Sequence, residues 1–461
     1  MSAIARYFHS QGVEVSGYDK TATGLTKELE QSGIAVHYEE NVDIIPKDVQ
    51  LVVYTPAVPK DHKELAYYQQ NGYKVVKRSD VLQLITKSSF NICVAGTHGK
   101  TTITTMIAHL LRDSGYGCNA FLGGISVNYG TNFWPQAPVG NSDKNVCVIE
   151  ADEYDRSFLK LSPDIAIISA MDPDHLDIYG TAEAMEQAFI DFSGRVKPGG
   201  LLISKFGLKR GKELKAEKHW TYSLFAKSSG QNESADVYEA NIKMHNGSYE
   251  FDVRIKDKLI ERLTLNIGGM HNVENAVAAI AVASSLEIED KKIKDAISSF
   301  KGVKRRFEYI ISPSPSGKVG MGLVFIDDYA HHPEELRALI SGAKSLFRER
   351  KCTIIFQPHL YTRTRDLANG FAEVLDMADE IILLPIYPAR ELPIEGVNSE
   401  MILNKMKNEH KRVMTKDDLL KWIEKGFKKN MNKEFGEVMI TAGAGDIDVL
   451  VEPIKEILES R

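Results

Sequence analysis

A short run of small, basic and hydroxylated residues near position 96 has the composition of a phosphate-binding loop. Residues 95–102 read AGTHGKTT, between an apolar run that predicts a strand and a segment that predicts a helix from Thr101. At such a strand–loop–helix junction, backbone N–H groups and the positive end of the helix bind phosphate. Lys100 then supplies a cation for the terminal phosphates, and the Thr101 hydroxyl can bind Mg²⁺.

This loop is tighter than the general nucleotide-binding loop, because Val94 stands where the first glycine is expected. A glycine-rich turn without a ligand is the alternative, but the order of strand, GKT and helix favours ATP. The residues of this loop that we expect to contact ATP are Gly96, Thr97, His98, Gly99, Lys100, Thr101 and Thr102.

Acidic residues follow the next two apolar runs. Residues 150–155, EADEYD, come after a predicted strand, and residues 172–177, DPDHLD, come after another. The carboxyl ends of parallel strands face the ligand crevice, and Mg²⁺ prefers oxygen ligands, so Glu150 is the best placed metal ligand. A solvated acidic loop is the alternative there, and His175 is either a metal ligand or a hydrogen-bonded loop histidine.

Two further segments combine amide and basic groups. Asn272 and Asn275 lie three residues apart, on one face of a predicted helix start, and suit an adenine edge. Helix capping by Asn272 alone is the alternative. In residues 304–306, KRR, an arginine near a domain junction suits the charge of a phosphate in the transition state, although a solvated basic cluster fits the same residues.

Near the carboxyl end of the chain, histidines and acids follow two consecutive predicted strands. Residues 327–333 read DDYAHHP, and residues 357–366 read QPHLYTRTRD. We expect both segments at adjacent strand ends, where α/β sheets bind ligands. Arg363 suits a substrate carboxylate, because a guanidinium can form two parallel hydrogen bonds to it.

The elements that must position these residues alternate between helix and strand, which predicts parallel α/β sheets. We predict three domains, residues 1–87, 88–303 and 304–461. The first begins at a helix, so the opening strand and glycine turn of a Rossmann-like domain are expected to be missing. Asp19, at the end of the strand over residues 13–19, occupies a typical nucleotide-binding place, and a ligand role for it stays open. Residues 208–262 predict appended antiparallel strands and exposed loops.

Composition narrows the class of protein. The chain has 461 residues and a formal net charge of -6, with the two signs interspersed, which disfavours nucleic acid and anionic membranes as main partners. No apolar run reaches the ~18 residues that span a bilayer, and no secretory signal is visible. No two of the four cysteines lie in a CxxC pair; they are Cys93, Cys118, Cys147 and Cys352. We therefore predict that they are reduced core residues of a cytoplasmic protein.

Taken in order, the segments GTHGKTT, EADEYD, DPDHLDIYG, GMHNVENA, RRFE, DDYAHHP and QPHLYTRTRDL resemble the Mur ligase family over nearly the whole chain. The last two are closest to the family's L-alanine-adding branch. The resemblance implies a UDP-binding Rossmann-like domain, a central ATPase domain and a C-terminal dinucleotide-fold domain. The family's amino-terminal GxGGxGM loop survives only as Met1, and residues 176–194 contain no lysine of the kind that several relatives carbamylate.

The resemblance also implies roles for individual residues. Lys100 and Thr101 would bind phosphate and Mg²⁺, Glu150 the first Mg²⁺ and His175 the second. Catalytic roles fall to Lys100, Glu150, His175 and Arg306. Asn272 and Asn275 would meet adenine, and Arg306 and Asp328 the phosphates and ribose. The expected substrate-binding residues are Asp19, Tyr329, His331, His359 and Arg363.

The reaction implied is ATP-dependent ligation of L-alanine to UDP-N-acetylmuramate through an acyl-phosphate, a cytoplasmic step of peptidoglycan precursor synthesis, by a monomer or homodimer. A relative that recycles a preformed peptide shares GTHGKTT and EADEYD and is the close alternative. A nucleotide-regulated switch would hydrolyse ATP slowly without any amino acid. A dehydrogenase fits the Rossmann-like units but has no need of Lys100 and Thr101 beside an acidic metal site.

Overall fold

The computed structural model describes residues 1–55, 58–59, 61–136, 145–173, 176–225, 234–313, 322–389, 391–432 and 434–460. The chain divides into two compact units. The first contains residues 1–240, 253–260 and 274–297, and the second contains residues 241–252, 261–273 and 298–461. Within the described part, no helix is long and apolar enough to cross a membrane.

Residues 1–90 form short strands and amphipathic helices. The helices are α1 (Ser2–Ser10), α2 (Gly24–Gln31), α3 (Lys63–Gln70) and α4 (Arg78–Ser88), and the strands are β1 (Ser16–Tyr18), β2 (Ala35–His37), β3 (Val52–Tyr54) and β4 (Val75–Lys77). The strands pair in parallel as two separate two-stranded sheets, β1 with β2 and β3 with β4. The predicted parallel pairing is therefore confirmed, although the strands form two sheets rather than one and no helix lies between β2 and β3.

The middle of the chain forms a ten-stranded sheet. Its strands are β5 (Phe90–Ala95), β6 (Asn119–Ser126), β7 (Thr131–Trp134), β8 (Val146–Glu150), β9 (Ile165–Ile168), β10 (Leu201–Lys205), β11 (Lys218–Ser223), β12 (Val237–His245), β13 (Ser248–Ile255) and β14 (Lys258–Leu265). Its helices are α5 (Lys100–Asp113), α6 (Leu176–Tyr179), α7 (Ala182–Ser193), α8 (Met270–Ser285) and α9 (Asp290–Ser299).

The strand order is β14-β13-β12-β11-β10-β9-β5-β8-β6-β7. Strand β5 is central, and both of its neighbours, β8 and β9, run parallel to it. The loops that follow these three strands therefore leave the same edge of the sheet. The expectation of antiparallel strands over residues 208–262 is wrong for β11, which pairs in parallel with both β10 and β12 because each is reached by a crossover rather than by a tight turn.

Helix α5 packs into the centre of the first unit. All its residues from Thr101 to Leu111 are buried, although four of them are threonines and one is a histidine. The Thr104 and Thr105 hydroxyls donate to the carbonyls of Lys100 and Thr101, one turn back, which satisfies them without water. The core of this unit combines residues of β5, β8, β9 and α7, among them Cys93, Ile149, Ile168 and Phe189.

The last part of the chain forms a six-stranded sheet with helices between its strands. The strands are β15 (Glu308–Ile311), β16 (Leu323–Asp328), β17 (Lys351–Phe356), β18 (Glu380–Leu383), β19 (Lys411–Val413) and β20 (Glu437–Ala442). The helices are α10 (Pro333–Leu346), α11 (Tyr361–Leu375), α12 (Ser399–Leu403), α13 (Lys416–Trp422), α14 (Lys428–Asn430) and α15 (Val451–Glu459).

This sheet has the order β15-β16-β20-β17-β18-β19, with β15 antiparallel and the others parallel. Strand β20, the last in the chain, lies between β16 and β17. The expectation that the segments after β16 and β17 follow adjacent strands is therefore wrong. With crossover connections, chain order does not determine which strands are neighbours in the sheet. Here the loop after β20 lies between the segments that follow β16 and β17.

All four cysteines are buried and free, as their apolar surroundings predicted. The domain boundaries at 87/88 and 303/304 stay predictions.

Candidate functional site

The loop after β5 has a backbone that only glycine accommodates. Gly96 has a φ of 134°, and Gly99, the N-cap of α5, has a φ of 81°. A Cβ atom on Gly96 would lie 2.2 Å from Ser169 Oγ and 2.7 Å from the Ala170 nitrogen. The loop thus packs directly against the end of β9, and both glycines have a steric reason.

Hydrogen bonds hold this loop in place from the β9 side. The Thr97 N–H donates to the Ala170 carbonyl at 3.2 Å, and the Thr97 hydroxyl accepts from the Asp172 N–H at 3.2 Å. The Ser169 hydroxyl contacts the carbonyls of Ala95, at 3.2 Å, and His98. Because its N-cap has no side chain, α5 leaves its first N–H groups to a ligand, which is the geometry of an anion site.

Lys100 begins α5 and turns its ammonium back over the loop. Its Nζ donates to the Gly96 carbonyl at 2.7 Å and to Glu153 Oε1 at 2.7 Å. The Glu153 side chain is 1% exposed and that of Lys100 is 14% exposed. Burial raises the pKa of Glu153, and the Lys100 charge opposes that shift. Sequence reasoning did not anticipate this partner.

Glu150 and Thr101 converge from the ends of β8 and α5. The Thr101 hydroxyl donates to Glu150 Oε1 at 3.1 Å, and the Gly123 N–H donates to Glu150 Oε2 at 3.0 Å. A Cβ atom on Gly123 would lie 2.2 Å from that oxygen, so only glycine permits this close approach of backbone and carboxylate. A carboxylate beside a hydroxyl fits the hard oxygen donors that Mg²⁺ takes together with phosphate oxygens. His175 lies outside the described residues.

The remaining loop residues differ in exposure. His98 Nε2 lies 3.9 Å from Asp172 Oδ2, with both side chains about three-quarters exposed. Thr102 is buried in the first turn of α5. Asn275 of α8 is also buried, and a Cβ atom on Gly99 would lie 2.9 Å from its Oδ1, so this amide contacts the phosphate loop.

Asn272 is buried near the start of α8, and its Nδ2 donates to the Gly268 carbonyl at 2.6 Å. The helix begins at Met270, so Asn272 is not its N-cap, and the capping alternative is wrong in that form.

In the second unit, two neighbouring arginines have different surroundings. Arg305 has a φ of 60° and contacts the Gly443 carbonyl, the Asp327 carboxylate at 3.3 Å and the Asp448 carboxylate at 3.7 Å. Arg306 is exposed. The first side chain is committed to the fold, which leaves the second for a ligand, as the resemblance implies.

Asp328 is the last residue of β16, and two backbone N–H groups hold its carboxylate. It accepts from the N–H groups of Phe307, at 2.6 Å, and Ala330, at 2.7 Å. Burial raises its pKa to about 6, although these two N–H groups and Arg306 act in the opposite direction. A carboxylate already paired on both oxygens is a fixed hydrogen-bond acceptor rather than a flexible one.

The four residues expected around the amino acid do come together. The ring centroids of Tyr329 and His331 are 5.3 Å apart, and those of His331 and His359 are 6.3 Å apart. Arg363 Nη1 lies 3.4 Å from His359 Nδ1. Burial, then Arg363, then His331 lower the pKa of His359. We call Tyr329, His331, His359 and Arg363 the amino-acid cluster.

Two residues that the sequence did not reveal support this cluster. The ring of Tyr387 stacks on His359 with centroids 5.8 Å apart, and the two residues form a β-bridge. Glu391 accepts from the Thr362 N–H at 3.0 Å, at the start of α11, one residue before Arg363. Leu360, the N-cap of that helix, has a φ of 69°, a strained conformation of the kind found at functional sites.

The loop after β20 is a further part of this edge. The Gly443 N–H donates to the Asp328 carbonyl at 3.2 Å, and a Cβ atom on Gly443 would lie 2.7 Å from the Gln357 carbonyl. The Gln357 amide donates to Asp446 at 2.9 Å. The glycines of residues 441–446, TAGAGD, were the available sequence signal.

Asp19 directly follows β1, and its N–H donates to the His37 carbonyl at 3.1 Å. It is exposed, and its Oδ1 accepts from the Thr21 N–H at 3.1 Å, a local turn contact. A partly buried cluster nearby escaped sequence reasoning. His37 Nε2 lies 3.0 Å from both oxygens of Glu64, and the ring nitrogens of the buried His62 have no hydrogen-bond partner among the residues that the structure describes. A ligand role for Asp19 stays a prediction.

Three domain models of one family match the chain in succession. The Mur ligase family catalytic domain matches residues 1–89, the Mur ligase middle domain matches residues 94–283, and the Mur ligase glutamate ligase domain matches residues 305–445. The chain belongs to the Mur ligase family.

Two similar Mur ligases and one solved structure are named for the same activity. UDP-N-acetylmuramate–L-alanine ligases of Parabacteroides distasonis and Cytophaga hutchinsonii are 46% and 44% identical, over 99% and 100% of this chain and 95% of each relative. The crystal structure of the UDP-N-acetylmuramate–alanine ligase from Thermotoga maritima has a TM-score of 0.79 at 27% identity, over 99% of this chain and 96% of that one.

A murein peptide ligase from Psychrobacter arcticus also superimposes, with a TM-score of 0.65, over 100% of this chain and 97% of that one. At 22% identity this likeness shows the fold alone. The predicted α/β Mur ligase architecture is thus confirmed, whereas the individual site residues stay predictions supported by the geometry above.

Proposed function

We propose that this Mur ligase joins L-alanine to UDP-N-acetylmuramate at the expense of ATP, in peptidoglycan precursor synthesis. The observation that carries the proposal is the identity of 42–46% to L-alanine ligases over nearly the full length of both chains. The phosphate loop and the amino-acid cluster supply the chemistry that this reaction requires.

In the first step, a carboxylate oxygen of UDP-N-acetylmuramate attacks the γ-phosphorus of ATP, and the bond to the β,γ-bridging oxygen breaks to release ADP. Lys100 and the first N–H groups of α5 hold the phosphates and stabilise the charge on the transferred group. Bound Mg²⁺, for which Thr101 and Glu150 are the proposed ligands with His175 at a second ion, supplies further charge neutralisation.

In the second step, the L-alanine amine attacks the acyl-phosphate carbon. The tetrahedral intermediate expels phosphate, and the proton lost by the amine passes to the released phosphate or to water as the amide forms. Arg363 binds the amino acid's carboxylate, and Tyr329, His331 and His359 restrict the space for its side chain. The lowered pKa of His359 keeps its imidazole neutral, so that it adds no positive charge to that of Arg363.

The proposed setting follows from the substrates. ATP and a UDP-linked sugar are consumed in the cytoplasm, where the chain would act as a monomer or homodimer. Arg306 and Asp328 are proposed for phosphate and ribose, Asn272 and Asn275 for adenine, and Asp19 for the UDP-sugar.

Phosphate release with UDP-N-acetylmuramate and ATP tests the proposal when each candidate acceptor is added in turn. The acceptors are L-alanine, glycine, L-serine, D-glutamate and L-alanyl-γ-D-glutamyl-diaminopimelate, with product mass as the second readout. We expect L-alanine to give the largest kcat/KM. Preference for the tripeptide would replace the proposal with the recycling activity, and release independent of any acceptor would indicate a nucleotide switch.

A further inference from the structure

The ammonium of Lys100 is fixed on two sides. It has three N–H donors, of which one goes to the Gly96 carbonyl and one to Glu153 Oε1, each at 2.7 Å. One donor remains for a ligand. The two acceptors therefore determine where the third N–H points.

Glu153 is held as firmly as the lysine it contacts. Its side chain is 1% exposed, and its carbonyl accepts from the Tyr179 hydroxyl at 2.6 Å. Among the described residues, its second carboxylate oxygen, Oε2, is buried without a hydrogen-bond partner. A buried carboxylate with one unpaired oxygen is costly for folding, which calls for a compensating role.

An ordinary structural ion pair of the same unit provides the contrast. Glu186 is 2% exposed, with one carboxylate oxygen 2.7 Å from Lys209 Nζ and its Oε2 3.9 Å from Arg210 Nη1. Its lysine, however, is 71% exposed and belongs to no ligand loop. In the Glu153–Lys100 pair both groups are largely buried, and the lysine is the one that the phosphate loop presents.

We infer that Glu153 is a positioning residue for phosphoryl transfer, which acts by holding the Lys100 ammonium so that its third N–H meets the transferred phosphate. It touches neither ATP nor the metal. Glu150, three residues earlier, contacts Thr101 and is the proposed metal ligand. The two glutamates of EADE therefore have separate roles. This inference rests on the proposed function, because it requires that Lys100 binds phosphate.

The test compares wild type with Glu153→Gln, Lys100→Met, the double variant and, as a matched control, Glu186→Gln. ATP affinity is measured by calorimetry without UDP-N-acetylmuramate, and kcat and KM are measured by phosphate release. We expect Glu153→Gln to lower kcat by about 10- to 100-fold, because misplacing one catalytic group costs this much, with KM for L-alanine unchanged. Glu186→Gln should leave kcat unchanged.

The double variant separates positioning from a merely structural role. If Glu153 acts through Lys100, its replacement changes kcat by less than about threefold once Lys100 is methionine. Additive losses, or a Glu153→Gln enzyme with wild-type kcat, would overturn the inference. Glu153→Met, of similar size, repeats the test if the glutamine variant does not fold.

Failure of the inference is distinguishable from failure of the proposed function. If Lys100→Met alone leaves ATP affinity and kcat intact, the phosphate-loop assignment is wrong and the inference falls with it. If Lys100→Met abolishes turnover but Glu153→Gln does not reduce it, Glu153 is a structural residue and the proposed function stands.

Discussion

The phosphate loop and the amino-acid cluster are built in different ways. The loop is fixed by backbone hydrogen bonds, glycine geometry and buried partners, so its shape exists before ATP arrives. The cluster consists of partly exposed rings 5.3 to 6.3 Å apart and a guanidinium beside an imidazole, with Tyr329 43% exposed. Every phosphate has the same shape and charge, so a fixed backbone can bind it. An amino-acid pocket must discriminate between the side chains of its substrates, and the side chains of the protein perform that discrimination.

The largest effect should come from breaking the preformed region. Replacing Lys100 with alanine removes a charge-assisted contact that strengthens as the phosphate is transferred. We expect kcat to fall by about 10²-fold or more, with the far-ultraviolet circular dichroism unchanged. Near-normal turnover in the variant would show that the loop after β5 does not bind the reacting phosphate.

The amino-acid cluster should discriminate less sharply. Glycine lacks one methyl group, which is worth about 1–3 kcal/mol in a pocket, so its kcat/KM should be ~10- to 200-fold below that of L-alanine. D-Glutamate should not react, because Leu360 rather than a second cation lies beside His359. Competition assays read by product mass decide this, and preferred use of D-glutamate would remove Arg363 and His359 from the amino-acid site.

Within the preformed region, the two acids of EADE should separate. Glu150→Gln should raise the Mg²⁺ concentration for half-maximal activity by roughly 10- to 100-fold, because it removes a carboxylate from the metal's surroundings. Glu153→Gln should lower kcat without moving that midpoint. Titration of activity with Mg²⁺ measures both, and equal shifts would mean that the metal ligand is wrongly assigned.

The smallest expected effect is a shift in the pH dependence of kcat/KM, caused by a change in the amino-acid cluster. The lowered pKa of His359 means that its imidazole stays neutral until the pH falls below the usual histidine range, so the acid limb of kcat/KM for L-alanine should lie there. Of the groups that face it, Arg363 and His331 lower the pKa and Glu391 raises it.

His331→Asn should therefore move that limb to higher pH. His332→Asn is the control, because His332 lies next in the chain but is the N-cap of α10. A limb that stays fixed in both variants would exclude His359 as the titrating group.

The contrast between the phosphate loop and the amino-acid cluster also explains which features could be predicted from the sequence. The phosphate loop was predictable from residues 90–102, since strand, glycines and helix start are local in the chain. The role proposed for Glu153 was not predictable from the sequence, because its burial depends on how the segment after β8 packs against α6. The position of β20 between β16 and β17 was equally hidden, and with it the loop that contains Gly443. Tyr387 contributes through stacking on His359, and a single tyrosine after β18 carries no pattern that would reveal it.

Transfer of oxygen-18 from substrate to phosphate tests the central claim most directly. UDP-N-acetylmuramate labelled with oxygen-18 in its carboxylate is incubated with ATP, Mg²⁺ and L-alanine, and the released phosphate is analysed by mass. If ligation proceeds through an acyl-phosphate, one carboxylate oxygen leaves with each phosphate, so one label should appear per product amide. Unlabelled phosphate, with amide formed at the same rate, would contradict the account.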